Sequence, residues 1–455
     1  MNYADFIASK TAKTHERGFQ VDAATLGHKL MPFQAECVAR CLKWGRGLIA
    51  ADCGLGKTPM QLAWAERMHE HTGRDVLIFA PLAVSQQTQR EGVKFGVPVN
   101  VCRSQNDVRP GVNITNYEML EHFDAAQFGA LVLDESSILK NYGGKLRHAL
   151  TDFGAQIEYR LCCTATPAPN DLLEIVNHAE FLGVMQGKEI IATYFIQDGN
   201  TTHKWRLKGH AKHDFWAWVS SWAIAVRKPS DLGFDNGAFV LPALNIIQHT
   251  VDGHINEGFL TPMEAQTLME RAHARRESKD ERVSKAAELA NATDRPFLVW
   301  CDLNSESEAL HKAIPDSVEV KGSDSIDHKI DAMMGFSEGR YRVMVSKPSI
   351  CGFGMNWQHC ADMAFVGLSD SFERYYQAVR RCWRFGQTQP VNAHIICAET
   401  EGAVVSNIER KERESSEMME QIVRHMNEDF RLGRRNVAPV TNSTLVLPEW
   451  LGGVA

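Results

Sequence analysis

Ala51-Asp52-Cys53-Gly54-Leu55-Gly56-Lys57-Thr58 follows an apolar run at residues 47–50 and precedes a helix-like stretch at residues 60–71. Strand, glycine loop and helix is the setting that a phosphate-binding loop requires. Gly54, Leu55 and Gly56 then offer backbone N–H groups that curl around phosphate oxygens, and the N-terminus of the following helix adds its positive end. Lys57 supplies a point charge and Thr58 a hydroxyl for Mg2+. The expected ligand is a nucleoside triphosphate. The strict pattern begins with glycine and this chain has Ala51 there, so the same residues also fit a plain strand-to-helix turn.

With 455 residues the chain has length for roughly two or three domains. Its 44% apolar and 23% charged residues are those of an ordinary globular protein, and no apolar run is long enough to cross a bilayer, which argues against a membrane partner. Residues 1–17 are polar and mixed in charge, without the apolar core of a secretory signal, so a cytoplasmic setting is expected. The 49 basic and 56 acidic residues give a net charge of -7, so the chain as a whole does not advertise a polyanion partner. No Cys-x-x-Cys pair occurs among the eleven cysteines. Cys37 with Cys41, Cys162 with Cys163, and His203, His210 and His213 all lack the four-ligand spacing of structural zinc.

Upstream of the loop, Gln34 follows Pro32 and Phe33 at the start of a helical pattern. Its amide offers a donor and an acceptor that can read an adenine edge, which points to ATP; an exposed glutamine at a helix start is the plainer alternative. Downstream, short apolar runs at 76–80, 113–115 and 130–133 alternate with helical patterns, the mark of a parallel α/β sheet covered on both faces. The third run leads into Asp134 and Glu135. At a strand end in such a sheet these can divide the labour: Asp134 holds Mg2+ through its water shell, and Glu135 orients and deprotonates the attacking water. A fourth run, 159–163, ends in Thr164-Ala165-Thr166-Pro167, a rigid polar turn able to couple the nucleotide site to something beyond it. Trp205, Trp216, Trp218 and Trp222 lie among several cations and read either as a stacking surface or, with Trp218 and Trp222 four apart, as a packed helix face, the favoured reading.

A second alternating region begins at residue 296. Within residues 346–356, Gly352 and Gly354 allow close backbone approach to a ligand. Arg381 and Arg384 are three apart, so on a helix they share a face, and their guanidinium groups suit the charge that develops on a transferring γ-phosphoryl. Residues 401–435 form a long charged helical pattern with Met418, Met419, Ile422, Val423 and Met426 as an apolar seam, expected to dock along the second half.

With these pieces in order, residues 28–400 resemble superfamily 2 helicase-like ATPases, and among them the Swi/Snf-type DNA translocases. Asp52 to Thr58 is similar to that family's Asp-Glu-Met-Gly-Leu-Gly-Lys-Thr loop, with Cys53 in a shortened opening, and residues 114–120 resemble its Thr-x-Tyr-Glu segment. Asp134-Glu135-Ser136-Ser137 with Lys140-Asn141 resembles its Asp-Glu box, and residues 225–228 with Leu241-Pro242 its signals at the end of the first lobe. The longest match is Gln377 to Val391, Gln-Ala-x-x-Arg-x-x-Arg-x-Gly-Gln-Thr-x-Pro-Val. The resemblance implies an α/β fold of two RecA-like lobes, each a mostly parallel sheet with helices on both faces, with ATP and Mg2+ in the cleft. It implies lobes at 1–230 and 293–455 joined by 231–292. Arg381 and Arg384 then act as arginine fingers in cis, and double-stranded DNA is tracked across both lobes. Thr164-Ala165-Thr166 departs from the Swi/Snf Thr-Gly-Thr, and no chromatin-reading module is visible, which favours a compact bacterial or phage enzyme. Two other readings stay open, a strand-separating DNA or RNA helicase and a nucleotide-switched DNA-binding protein without productive hydrolysis. The sequence names no protein partner.

Overall fold

Each apolar run pairs as a parallel strand, because a covering segment, helical in most cases, returns the chain along a sheet face before the next strand begins. The computed structural model describes residues 16–27, 29–81, 84–141, 143–197, 205–252, 275–351 and 356–432. Strands β1 (Arg46–Ala51), β2 (Asp75–Ala80), β3 (Val99–Val101), β4 (Val112–Asn116), β5 (Phe128–Asp134) and β6 (Tyr159–Thr164) come first. A short antiparallel hairpin, β7 (Phe195–Gln197) with β8 (Trp205–Leu207), stands apart, and β9 (Ala223–Val226) returns to the sheet. The seven-stranded sheet has the order β3-β4-β2-β5-β6-β1-β9 with every pair parallel.

These strands carry no apolar/polar alternation because both faces are buried. Leu48, Leu77, Phe79, Leu131 and Leu133 enter one core, while Ile49, Val76, Ile78, Ala130 and Val132 enter the other. The second sheet repeats the plan with β10 (Leu244–Val251), β11 (Phe297–Trp300), β12 (Ser317–Val320), β13 (Val343–Ser346), β14 (Asp362–Val366) and β15 (Val391–Ala398), all parallel, in the order β10-β15-β14-β11-β13-β12. The fold is therefore α/β, with two RecA-like lobes. No described helix is long and apolar enough to cross a membrane.

Two expectations change. Within residues 231–292, β10 pairs with β15 along its whole length, and the helix Lys279–Asn291 buries Val283, Ala286, Ala287 and Ala290 against Phe297 and Val299. Both pieces are thus built into the second sheet's packing rather than spanning free between the lobes. The helix Gly402–Leu432 does not dock along the second half only. Val404 and Ile408 join the core of the second sheet, but Met418, Met419, Ile422 and Val423 pack in the first-lobe core that holds Trp218 and Trp222. The reason is geometric: Met418, Ile422 and Met426 repeat every four residues, and the first lobe presents an apolar face that this stripe closes. Trp216, Trp218 and Trp222 are all buried, so this cluster is packing, and only Trp205 is part-exposed. Residues 433–455 lie outside the described residues.

Candidate nucleotide site

Strand order fixes which groups meet. β6 lies between β1 and β5, so Thr164 at its end stands between the loop that follows β1 and the carboxylates that end β5. Ligand sites in such sheets form at these C-terminal ends. The helix Lys57–Thr72 starts directly from the loop, whose Gly54 (φ 89°) and Gly56 (φ 79°) take left-handed backbone conformations. A Cβ on Gly56 would lie 2.4 Å from Gln34 Nε2, and one on Gly54 would lie 3.1 Å from the backbone N of Phe385, so the loop is tight on both sides. Lys57 Nζ donates to the Ala51 carbonyl at 3.0 Å.

A cavity of about 600 Å³ opens here, bringing Gln34, Gly54, Gly56, Lys57 and Thr58 together with Asp134, Glu135, Arg381 and Arg384. Leu55 is not part of its wall. That side chain is buried in the core and its backbone serves the loop, the carbonyl accepting from Gln34 Nε2 at 2.8 Å and the N–H donating to the Asp52 carbonyl at 3.3 Å. Gln34 Oε1 also accepts from the Met31 N–H at 2.9 Å, so each half of its amide braces backbone at the cavity edge with one of the two hydrogen bonds that half can make. Gly354 lies outside the described residues.

Asp134 is 7% exposed. Burial first, then the neighbouring Glu135, raises its carboxyl to about 6, with Lys57 among the groups opposing the shift. A buried carboxyl short of countercharge, lining the same cavity as Thr58, suits Mg2+, which binds through one or two protein oxygens and keeps water and phosphate ligands. An acid whose pKa is higher folded than unfolded contributes most stability below the unfolded value and loses it as pH rises through the folded one, here from 3.8 to about 6. Ionised Asp134 therefore opposes folding at neutral pH when nothing is bound. Asp134→Asn is expected to stabilise the nucleotide-free chain at pH 7.5 by ~2–3 kcal/mol at most, with the gain shrinking toward pH 5. Thermal melts without Mg2+ check this; a variant that melts lower than the parent at pH 7.5 contradicts it.

Glu135 is the only non-glycine among the described residues with positive φ (56°, ψ 55°). Such a backbone is uncommon for a non-glycine residue and persists where surrounding contacts hold it. The Thr164 hydroxyl donates to Glu135 Oε1 at 3.1 Å and accepts from the Thr166 N–H at 3.1 Å, so the polar turn after β6 grips the carboxylate directly.

From the other lobe, the helix Phe372–Val379 begins at Ser371, whose hydroxyl accepts from the Arg374 N–H, and ends before the arginines. Arg381 and Arg384 thus lie on successive turns after the helix, not on a helical face; the backbone N–H groups of residues 381, 382 and 384 donate to Ala378, Val379 and Cys382. Both still line the cavity. Burial lowers both, Arg384 to about 10 with Arg381 adding to the shift, while Glu135 is among the charges that support Arg381.

Sequence reasoning missed the residues that join the lobes. Asp52 is ion-paired with Arg380 and accepts from the Tyr376 hydroxyl. Glu373 accepts from Ser137 and Lys140, just beyond the carboxylate pair. No local signal marks these contacts, since each joins residues more than two hundred positions apart.

Residues 28–190 match the SNF2-related domain. The SWI/SNF-related matrix-associated actin-dependent regulator of chromatin subfamily A-like protein 1 of Drosophila melanogaster is 23% identical over 428 residues, 86% of this chain and 56% of that protein. The Xenopus tropicalis protein of the same name is 34% identical over 134 residues, 27% of this chain and 14% of that one. The chain spans about half the length of the first of these and far less of the second. Among solved structures, S. cerevisiae Dbp5 bound to RNA and ADP BeF3 superposes with a TM-score of 0.55 at 11% identity, covering 88% of this chain and 99% of that one, a likeness of fold. The Sulfolobus solfataricus SWI2/SNF2 ATPase core in complex with dsDNA aligns at a TM-score of 0.42 and 16% identity, over 84% and 89% of the two chains.

Proposed function

We propose, for a chain that is of the Swi/Snf type within superfamily 2 and carries an SNF2-related domain at residues 28–190, that it is an ATP-hydrolysing motor moving along double-stranded DNA. The observation that carries the hydrolytic part is convergence: Lys57, Thr58, Asp134 and Glu135 from the first sheet and Arg381 and Arg384 from the second face one cavity. A protein that merely switched on nucleotide would need neither a positioned carboxylate nor paired arginines. In this reading the loop and Lys57 hold the phosphates, and Thr58 and Asp134 hold Mg2+, which neutralises phosphate charge when bound. Glu135, fixed by Thr164, orients and deprotonates the water. Arg381 and Arg384 meet the charge that develops on the transferring group.

The duplex-DNA part rests on the arginine segment at residues 377–391 and its likeness to translocases. The division at 1–230, 231–292 and 293–455 belongs to the same proposal, amended so that β10 and the helix Lys279–Asn291 count with the second lobe. Eleven unpaired cysteines, ten of them buried, suit a reducing, cytoplasmic setting.

The test is ATPase activity with no nucleic acid, duplex DNA, single-stranded DNA and RNA, followed by two strand assays. Duplex should stimulate most, and DNA binding should be insensitive to sequence and weaken steeply with salt. A third strand flanked by duplex should be displaced only with ATP, while a forked duplex stays paired. Unwinding of the fork without triplex displacement would turn the reading to a strand-separating helicase.

A further inference from the structure

The lobes meet at a charge pair that the proposed chemistry does not itself use. Asp52 is the residue between β1 and the loop glycines, and its backbone is fixed by donation to the Val226 carbonyl at 2.9 Å. Its carboxylate accepts from the Cys53 N–H at 2.6 Å and from the Tyr376 hydroxyl, and it is ion-paired with Arg380. Arg380 is 4% exposed. Its guanidinium lies 4.4 Å from the Trp383 ring centre and 5.4 Å from that of Tyr376, and it donates to the Trp383 carbonyl at 3.2 Å.

Burial pushes Arg380 down to about 9, with Arg384 adding to it, and raises the Tyr376 phenol well above its ordinary range. At neutral pH both keep their protons, so Asp52 faces a cation and a donating hydroxyl. A buried guanidinium stripped of its carboxylate would be left without its compensating charge. Arg380 directly precedes Arg381, and the next turn carries Arg384 and then Phe385, whose backbone abuts Gly54. The pair therefore sits at the root of the segment that delivers both arginines to the loop.

We infer that Asp52, Tyr376 and Arg380 form an interlobe latch that sets the position of Arg381 and Arg384 over the phosphate loop. The inference rests on the ATPase reading above. Asp52 is a positioning residue here: it acts through the arginine turn and touches no reacting atom.

Asp52→Asn in the full chain keeps the shape and removes the charge. A displacement of about 1 Å at a reacting centre costs on the order of 10²-fold, so kcat should fall by that order while KM for ATP stays within about threefold. Tyr376→Phe should cost less, and Asp52→Glu, which keeps the charge, should recover most of the loss. Because the latch works through the arginine turn, Asp52→Asn should have less than its full effect in an Arg381→Ala background, where only Arg384 is left to displace. Equal changes in kcat and KM, or full additivity with Arg381→Ala, would overturn the latch. Small-angle X-ray scattering of Asp52→Asn without nucleotide should show a larger radius of gyration than the parent, and an unchanged radius also counts against it. A parent chain that hydrolyses no ATP would defeat the ATPase reading, while the scattering comparison would still decide whether Asp52 holds the lobes together.

Discussion

Glu135→Gln is expected to lower ATP turnover by on the order of 10³-fold while leaving ATP binding within a few-fold of the parent. The glutamine has the same shape, and its amide oxygen can still accept from the Thr164 hydroxyl that now holds Glu135 Oε1. What it loses is the ability to take a proton from water. The backbone at residue 135 already lies in a left-handed conformation, so substitution there by a side chain of equal length adds no new strain. Lys57→Ala should behave differently and weaken ATP binding itself, because an ammonium at the loop contacts phosphate in the ground state. Phosphate release and equilibrium nucleotide binding, measured on the same preparations, separate the two. Undiminished turnover in the glutamine variant would remove Glu135 from its role.

Arg381→Ala and Arg384→Ala should each cost on the order of 10³-fold or more in kcat, with much smaller changes in ATP affinity. Both lie on turns of the second lobe and both line the cavity built on the first, so their charge reaches the phosphates only when the lobes are together. Lysine substitution should recover little, since an ammonium cannot reproduce the planar fork of the guanidinium. If either alanine variant raised KM while leaving kcat intact, that arginine would be a ground-state binder and not a finger.

The parts of the site legible in the sequence were those written in consecutive residues. The loop from Gly54 to Thr58, the pair Asp134 and Glu135 at a strand end, and the arginine segment each declare their chemistry by spacing, and the apolar runs between them announced buried parallel strands. What stayed hidden depends on groups far apart in the chain. Gln34 has the right amide for a base, but only the folded loop shows that it also braces the Leu55 carbonyl and the Met31 N–H. Arg381 and Arg384 have helical spacing, yet the helix stops at Val379. Asp52 and Arg380 look like ordinary charges until burial makes them partners across the lobes. The seam from Met418 to Met426 was visible as a stripe, but a stripe does not say which core it will close.

The destination of that seam bears on how the chain is made. Met418 packs in the same core as Trp222, about 200 residues earlier, and at roughly 5–20 residues per second that interval is on the order of 10–40 seconds of synthesis. During it the first lobe can form its sheet on the ribosome but cannot cover its tryptophan face. The nascent first half is thus the species that a holding chaperone would meet, and release from it should coincide with emergence of the last helix rather than with completion of β9.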